Sequence, residues 1–479
     1  KAFLLIQSSY MKLTTFKKIS YCTFLVVFFL FFNSCASYRG KSEKIETALK
    51  QGEIKQALTA VDANSFLKKK RNLLLYYFEK GKVLYLNGEY ELSNSFLNKA
   101  DAFIEENKKY IGGKVLGVLL NPETETYTGE DFEKVAIHYY KALNYIFLNK
   151  LDDALVEAKR INIKLQEIND TYPMGKKNRY TSDGFALNIQ GLLYEASGDV
   201  NNAFISYRNA VDLYLANNGS YFGTPLPEQL KNDVLRTAAS LGFTNELLRY
   251  EKLLETTYVP TNVNINGELV LFWENGLVPY KDQTLYNFTV LPGNRDGIVS
   301  IYNEDLGITL PIPVSTGNET KKEFSDIDVF SVAFPKYVKR NPYYSKATVN
   351  KDSVRMNFQL AQNYNVIAFK TLKDRTLREI GKAAIRLGTK KISEYLLREE
   401  NDDLGAALGI FNALTEHADT RNWQSLPQDI YYARIPLKDG ENTISITLTT
   451  PNGVSKEQTI QVKGRKGIQF KKLITLQSL

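Results

Sequence analysis

The stretch GFALNIQGLLYEASGDVNNAFISYRNAVDLYL, Gly184 to Leu215, decides the fold. Two runs with helical spacing of large residues flank Ser197-Gly198-Asp199, where Gly198 can take the positive φ that ends a helix. Small residues stand where two antiparallel helices must approach closely: Gly191 in the first, Ala203 and Ala210 in the second. Leu192, Tyr194, Phe204 and Tyr207 recur between them at helical spacing. Such a hairpin cannot bury its apolar face alone, so stacked neighbours and a concave surface are implied.

Two other segments carry the same small-residue pattern. Leu74 to Ile104 has Gly81, Leu84, Gly88, Tyr90 and Ala100; Val135 to Ile163 has Ala142, Tyr145, Ala154 and Ala158. Together the three resemble tetratricopeptide (TPR) repeats. Taking Gly81, Ala142 and Gly191 as one repeat position, the spacings exceed the roughly 34-residue TPR period, so insertions interrupt the array. They run from Ile111 to Gly129 and from Asn169 to Asp183. Weaker helical pairs, Glu43–Ala60 and Glu228–Leu254, suit the ends of a solenoid. The helical domain is therefore expected over residues 43–258.

In a TPR the inner helix of each hairpin faces the groove. The same register makes Phe78, Lys82 and Tyr85, then Tyr139, Leu143 and Ile146, then Asn188, Leu192 and Glu195 the candidate partner-binding residues. An aromatic and apolar groove with a few polar groups suits a peptide or helix ligand. The alternative is that another part of the same chain fills it.

After Pro260-Thr-Asn the pattern changes to strands. ELVLFWENG opens it, then Leu285–Leu291, Val299–Tyr302, Ile308–Val314 and Val329–Phe334. Helical segments are expected over Met356–Lys370, Leu372–Leu397 and Leu404–His417, before closing strands at Ile430–Pro436, Thr443–Thr449, Thr459–Lys463 and Gly467–Ile474. The fold class is thus multidomain α plus α+β: TPR-like helical hairpins, then a β-rich domain with a helical insertion, 260–479 forming one α+β domain, with a β-sandwich carrying that insertion as the alternative. Its parts divide as a β-rich segment over 260–350, a helical segment over 351–418 and closing strands over 419–479.

The beginning of the chain reads as an address. Met11 is the expected start, followed by basic Lys12, Lys17 and Lys18 and the apolar run YCTFLVVFFLFF, Tyr21 to Phe32. That run is shorter than the roughly 20 residues of a membrane span and suits a signal peptide over residues 1–34. Asn33-Ser34-Cys35 resembles a lipobox of the loose Bacteroidetes type, in which cleavage before Cys35 leaves a terminal cysteine for lipidation; an ordinary signal with an incidental cysteine is the alternative. Cys22 leaves with the leader, so no disulfide is expected within the chain. Residues 35–42 are read as a short tether. The residues after Cys35 lack the acidic cluster that, in the bacteria this lipobox resembles, marks export to the surface, so the resemblance implies the periplasmic face of the outer membrane.

The whole chain has a formal charge of +8, and setting aside Lys1, Lys12, Lys17 and Lys18 halves it. A surplus that small gives no support to nucleic-acid binding.

Three stretches carry a further resemblance. They are Asp131-Phe-Glu133 with Tyr139-Tyr-Lys-Ala-Leu-Asn-Tyr145 and Ala154-Leu-Val-Glu157-Ala-Lys-Arg160; Glu274-Asn-Gly276-Leu-Val-Pro279-Tyr-Lys281; and Ala418-Asp-Thr-Arg421-Asn-Trp423-Gln-Ser-Leu426-Pro427. The chain resembles bacterial TPR-containing envelope lipoproteins, often encoded near penicillin-binding-protein activator lipoproteins. The resemblance implies an outer-membrane-linked scaffold connected with cell-wall synthesis, and it implies no catalytic residue.

Chemistry-bearing patterns are scarce. The two histidines, His138 and His417, belong to no zinc-ligand spacing, and neither a GxSxG nor a phosphate-loop motif occurs. Ser65-Phe-Leu-Lys68 matches a penicillin-binding-type tetrad but lacks the partner motifs. Asp152-Asp153, Glu399-Glu400 and Asp402-Asp403 are neighbours in sequence and do not face each other on a helix. Asp419, Arg421 and Trp423 alternate, so an extended segment would place them on one face as a recognition patch, or else as an internal ion pair beneath a packed tryptophan.

The expectation is a non-enzymatic lipoprotein, needing no cofactor or metal, whose TPR groove binds a protein partner in the envelope. The alternative is a peptidoglycan- or glycan-binding module built on Trp273 and Trp423.

Overall fold

The computed structural model describes residues 38–108, 125–170, 180–260, 267–295, 298–313, 329–352, 354–376, 380–381, 384–385 and 417–478. Cys35, most of both insertions, nearly all of Leu404–His417 and most of Leu372–Leu397 lie outside the described residues.

The helical half is built from antiparallel pairs. Helix α1 (Tyr38–Lys50) pairs with α2 (Ile54–Ala63), α3 (Leu73–Asn87) with α4 (Tyr90–Lys108) and α5 (Asp131–Phe147) with α6 (Leu151–Asp170). Next, α7 (Gly184–Ala196) pairs with α8 (Val200–Leu215), and α9 (Glu228–Ser240) with α10 (Thr244–Leu253). Each hairpin stacks on the next, with α4 against α5, α6 against α7 and α8 against α9. Gly88 and Gly198 adopt φ of 84° and 85° at the hairpin turns. Asp199 starts α8 by accepting the N–H of Asn202.

Helix α1 begins at Tyr38, inside the stretch read as a tether. The reason is packing: Tyr38 is buried, its ring lies 5.7 Å from that of Phe66, and its N–H donates to Thr420 Oγ1. A two-strand hairpin, β1 (Ser220–Tyr221) and β2 (Thr224–Pro225), separates α8 from α9.

Strand β3 (Glu268–Asn275) organises the other half. It pairs antiparallel with β11 (Asp429–Pro436) and parallel with β14 (Ile468–Thr475), while β10 (Gln359–Asn363) extends the sheet beyond β11. A second sheet holds β13 (Ser455–Gly464), β12 (Gly440–Thr449), β8 (Lys346–Lys351) and β9 (Val354–Asn357) in that order. Alternate residues of β3 point to opposite faces. Leu269, Leu271 and Trp273 join Val349, Ile435, Ile444 and Ile446 in a sandwich core between these sheets. Val270 and Phe272 belong instead to the core that runs through the helical repeats. The first sheet is thus covered on both faces, by its partner sheet and by the solenoid. A third sheet, β6 (Ile308–Pro313), β5 (Ile298–Asn303), β4 (Tyr280–Arg295) and β7 (Val329–Val338), joins the repeat-side core through Phe288, Ile301, Val332 and Phe334.

The helix expected over Met356–Lys370 is corrected. Residues Met356–Asn363 lie in β9 and β10, and a helix, α11, spans 364–376. Pairing with β8 and β11 overrides the local helical pattern. Asn363 then starts the helix by accepting the N–H of Val366. Strand β8 went unread because only Ala347 and Val349 mark its buried face.

A Cβ on Gly191 would lie 2.2 Å from the buried Tyr207 ring, so the small residue is what lets α7 and α8 close. Gly191→Ala is expected to destabilise the fold by about 1–3 kcal/mol despite its better helix propensity. Urea denaturation checks this, and a gain in stability would contradict the close approach.

Candidate functional site

Helices α3, α5 and α7 supply the groove residues, and every candidate there is engaged by the same chain. Phe78 stacks on Trp423 with centroids 4.5 Å apart and an interplanar angle of 11°. Lys82 and Glu274 of β3 form an ion pair in which neither side chain has exposed surface. Lys82 Nζ also lies 4.0 Å from the Tyr140 ring centroid. The Tyr85 carbonyl accepts Lys472 Nζ of β14 at 2.5 Å, and that ammonium sits 4.0 Å over the Tyr85 ring. Tyr139 packs against Phe185, which contacts Phe272 and Tyr432 of the sheet. Leu143, Ile146 and Leu192 are buried in that core, and Asn188 is buried beside Tyr432. Glu195 receives both terminal nitrogens of Arg434 from β11, at 2.7 and 2.9 Å.

The assignment of these nine residues to an outside partner is therefore corrected: the sheet and the segment before β11 occupy the groove. An apolar surface of this size, open to water, is satisfied by whichever apolar face reaches it first, and one tethered in the same chain has the higher effective concentration.

Residues 419–428 lie in the groove as a peptide would. Glu133 Oε1 accepts the Trp423 N–H at 2.7 Å, and Glu79 Oε1 accepts that of Gln424 at 2.8 Å. Glu133 Oε2 takes the Tyr127 hydroxyl at 2.6 Å and the Glu130 N–H at 2.9 Å. Glu130 is paired with Lys281 and Arg375. Asn422 bridges to the next motif, donating to the Pro279 carbonyl at 3.0 Å and accepting the Lys281 N–H at 3.3 Å. Parts of the three stretches, Glu133, Pro279 with Lys281, and Asn422 with Trp423, thus meet at one place, the seam between the helical and β halves.

Electrostatics at the seam follow from burial. Burial pushes Lys82 down to about 8, with Glu274 opposing, and also lowers Lys472 to about 8. Burial, then the Glu130 charge, pushes Glu133 up to about 7. Glu130 feels the same burial, but Arg375 and then Lys281 hold it down at about 2. A second charged cluster joins Arg434 to Asp233 at 3.0 Å and to Glu268, with Arg236 reaching Glu195 at 2.7 Å.

The outward recognition patch is corrected too. Arg421 is buried and forks onto Asp419 at 2.8 and 2.7 Å, with Nη1 donating to Asn72 Oδ1 at 2.8 Å. Neither tryptophan is a sugar platform. Trp423 is enclosed by Phe78 and Tyr140, while Trp273 lies in the sandwich core on Tyr431 with Nε1 donating to Thr475. His138 is buried against Glu157 at 2.8 Å, beside Lys141. Among the described residues, no cluster of His, Cys, Asp and Glu fits a metal ion, and no helix is long and apolar enough to cross a membrane.

Sequence reading missed Glu79, Lys281, Arg375, Arg434 and Lys472 as parts of the seam. Lys82 and Lys472 carried a signal, since each interrupts an apolar run.

No protein-family model matches the sequence, and no curated protein does. Similar solved structures include MamA, at 15% identity over 45% of this chain and 88% of that chain, with a TM-score of 0.28. The apo form of RapI is 15% identical over 45% of this chain and 52% of that one, with a TM-score of 0.32. TPR-like repeats of a putative kinesin light chain from Podosopora anserina are 12% identical over 45% and 92%, with a TM-score of 0.30. The repeat assignment rests on this chain's own hairpins.

Two outcomes test the seam. Lys82→Met alone leaves Glu274 buried without the ammonium that bonds it and is expected to cost about 3–5 kcal/mol, whereas Lys82→Met with Glu274→Leu costs much less. A double-mutant cycle in urea checks this, and additive losses would contradict a coupled pair. Glu133 holds its proton more tightly folded than unfolded. Its contribution to stability is complete below the ordinary glutamate range and is lost as pH rises through about 7. Glu133→Gln should flatten that decline in pH-dependent denaturation; an unchanged slope would refute the assignment.

Proposed function

We propose that this chain is a non-enzymatic scaffold of the bacterial cell envelope, lipid-anchored through Cys35 on the periplasmic face of the outer membrane. Its repeats clamp its own β half into one rigid body, and its protein partner docks on outer surfaces rather than in the groove. The observation that carries this reading is the occupancy of the groove by β3, β14 and residues 419–428. Anchoring and location are supported by the leader sequence, and a connection with cell-wall synthesis by the family resemblance alone.

Exposed apolar residues on the outside of the repeats, Val156 on α6 and Leu248 on α10, are the positions to probe. A photo-crosslinker placed there in cells is expected to capture one envelope protein reproducibly; no adduct at either position would count against an adaptor. Cys35→Ala should move the protein from the membrane fraction to the soluble periplasmic fraction. Continued membrane attachment would end the anchoring claim.

A further inference from the structure

Between Tyr38 and Arg71, nine basic residues stand against four acidic ones. This stretch accounts for all of the positive surplus that remains once the leader lysines are set aside, so the rest of the chain is close to neutral. The fold gathers part of that charge at the start of α1. Asn64 Nδ2 donates to the Lys41 carbonyl at 2.9 Å, pinning the loop after α2 onto the first turns of α1. Asn64 Oδ1 accepts the N–H groups of Phe66 and Leu67, each at 3.1 Å, which fixes the loop's shape. Phe66 is buried against Tyr38, and Lys41 Nζ lies 4.6 Å from its ring centroid. Lys68, Lys69 and Lys70 follow immediately, all exposed, and Arg39 is exposed on α1 itself.

Two of the four carboxylates are committed elsewhere, and the other two, Glu43 and Glu53, are exposed. Glu46 is buried and held by Lys50 at 2.7 Å and Arg340 at 3.2 Å, and Asp62 by Lys80 at 2.5 Å. Among the described residues none of the three consecutive lysines has a carboxylate partner. Their charge is therefore left to the solvent side.

We propose that this loop, with the start of α1, is a membrane-contact face that binds anionic phospholipid headgroups. Its orientation toward the bilayer rests on the lipid anchor proposed at Cys35. Three residue steps separate Cys35 from Tyr38 and span at most about 11 Å, so an anchored chain holds this face near the headgroups. At that range an anionic surface attracts each lysine. The cluster thus sets how the body stands on the membrane.

The test uses the purified chain from Ala36 to Leu479, which carries no lipid, so it is independent of the anchor. It should sediment with phosphatidylcholine vesicles containing phosphatidylglycerol, should not sediment with phosphatidylcholine alone, and should be released by salt. The triple variant Lys68→Glu, Lys69→Glu, Lys70→Glu should partition roughly 100-fold more weakly. A triple charge reversal of the exposed Lys456, Lys463 and Lys466 on and beside β13 should leave partition unchanged. No binding to anionic vesicles, equal binding to neutral ones, or equal loss in both variants would overturn the proposal. None of those results bears on the anchor, which the fractionation of Cys35→Ala decides.

Discussion

Lys82 and Glu274 meet across the seam with no exposed surface between them, and the rest of the molecule is arranged around that contact. Taking both charges out of water is expensive, and their attraction alone does not make such a pair a strong source of stability. What it supplies is register. Side chains alternate along β3, so a slip of one residue would send Glu274 into the sandwich core and Trp273 into the groove. Either displacement leaves a buried charge unpaired. Lys472 adds a second cation on the neighbouring strand, where the rings of Tyr85, Tyr90 and Phe147 surround it.

Around that pair, the repeats treat the segment at 419–428 as a ligand. Two helix carboxylates, Glu79 and Glu133, take successive main-chain N–H groups, while Phe78 supplies a flat surface for the one large side chain. Each bond satisfies a main-chain N–H group that would otherwise be buried without a partner. The consequence is that the concave surface is spent on cohesion. Contacts with anything else fall to the convex helix faces, the third sheet and the basic start of α1.

Much of the helical half was legible. Gly81, Ala142 and Gly191 mark close approach, and the turn glycines mark hairpin ends, because sterics leave few alternatives at those positions. The same register located Phe78, Lys82 and Tyr85, which the structure buries under the sheet. What fills the groove was not legible, since an apolar concave face has the same composition whether its ligand comes in cis or in trans. The alternation Asp419, Arg421, Trp423 carried the same ambiguity, and burial decided for the internal pair. Met356 to Asn363 failed for another reason: short strands without an apolar run are defined by ladder partners far away in sequence, Lys346–Lys351 and Asp429–Pro436.

Whether the chain occupies its own groove is read from the environment of Trp423. The sequence has two tryptophans, so Trp273→Phe leaves Trp423 as the sole reporter. In the native variant the emission is expected to be blue-shifted and resistant to acrylamide quenching, with both lost in the same transition that removes helical circular dichroism. Red-shifted emission quenched as readily as free indole in the native state would contradict it, because the groove would then stand open.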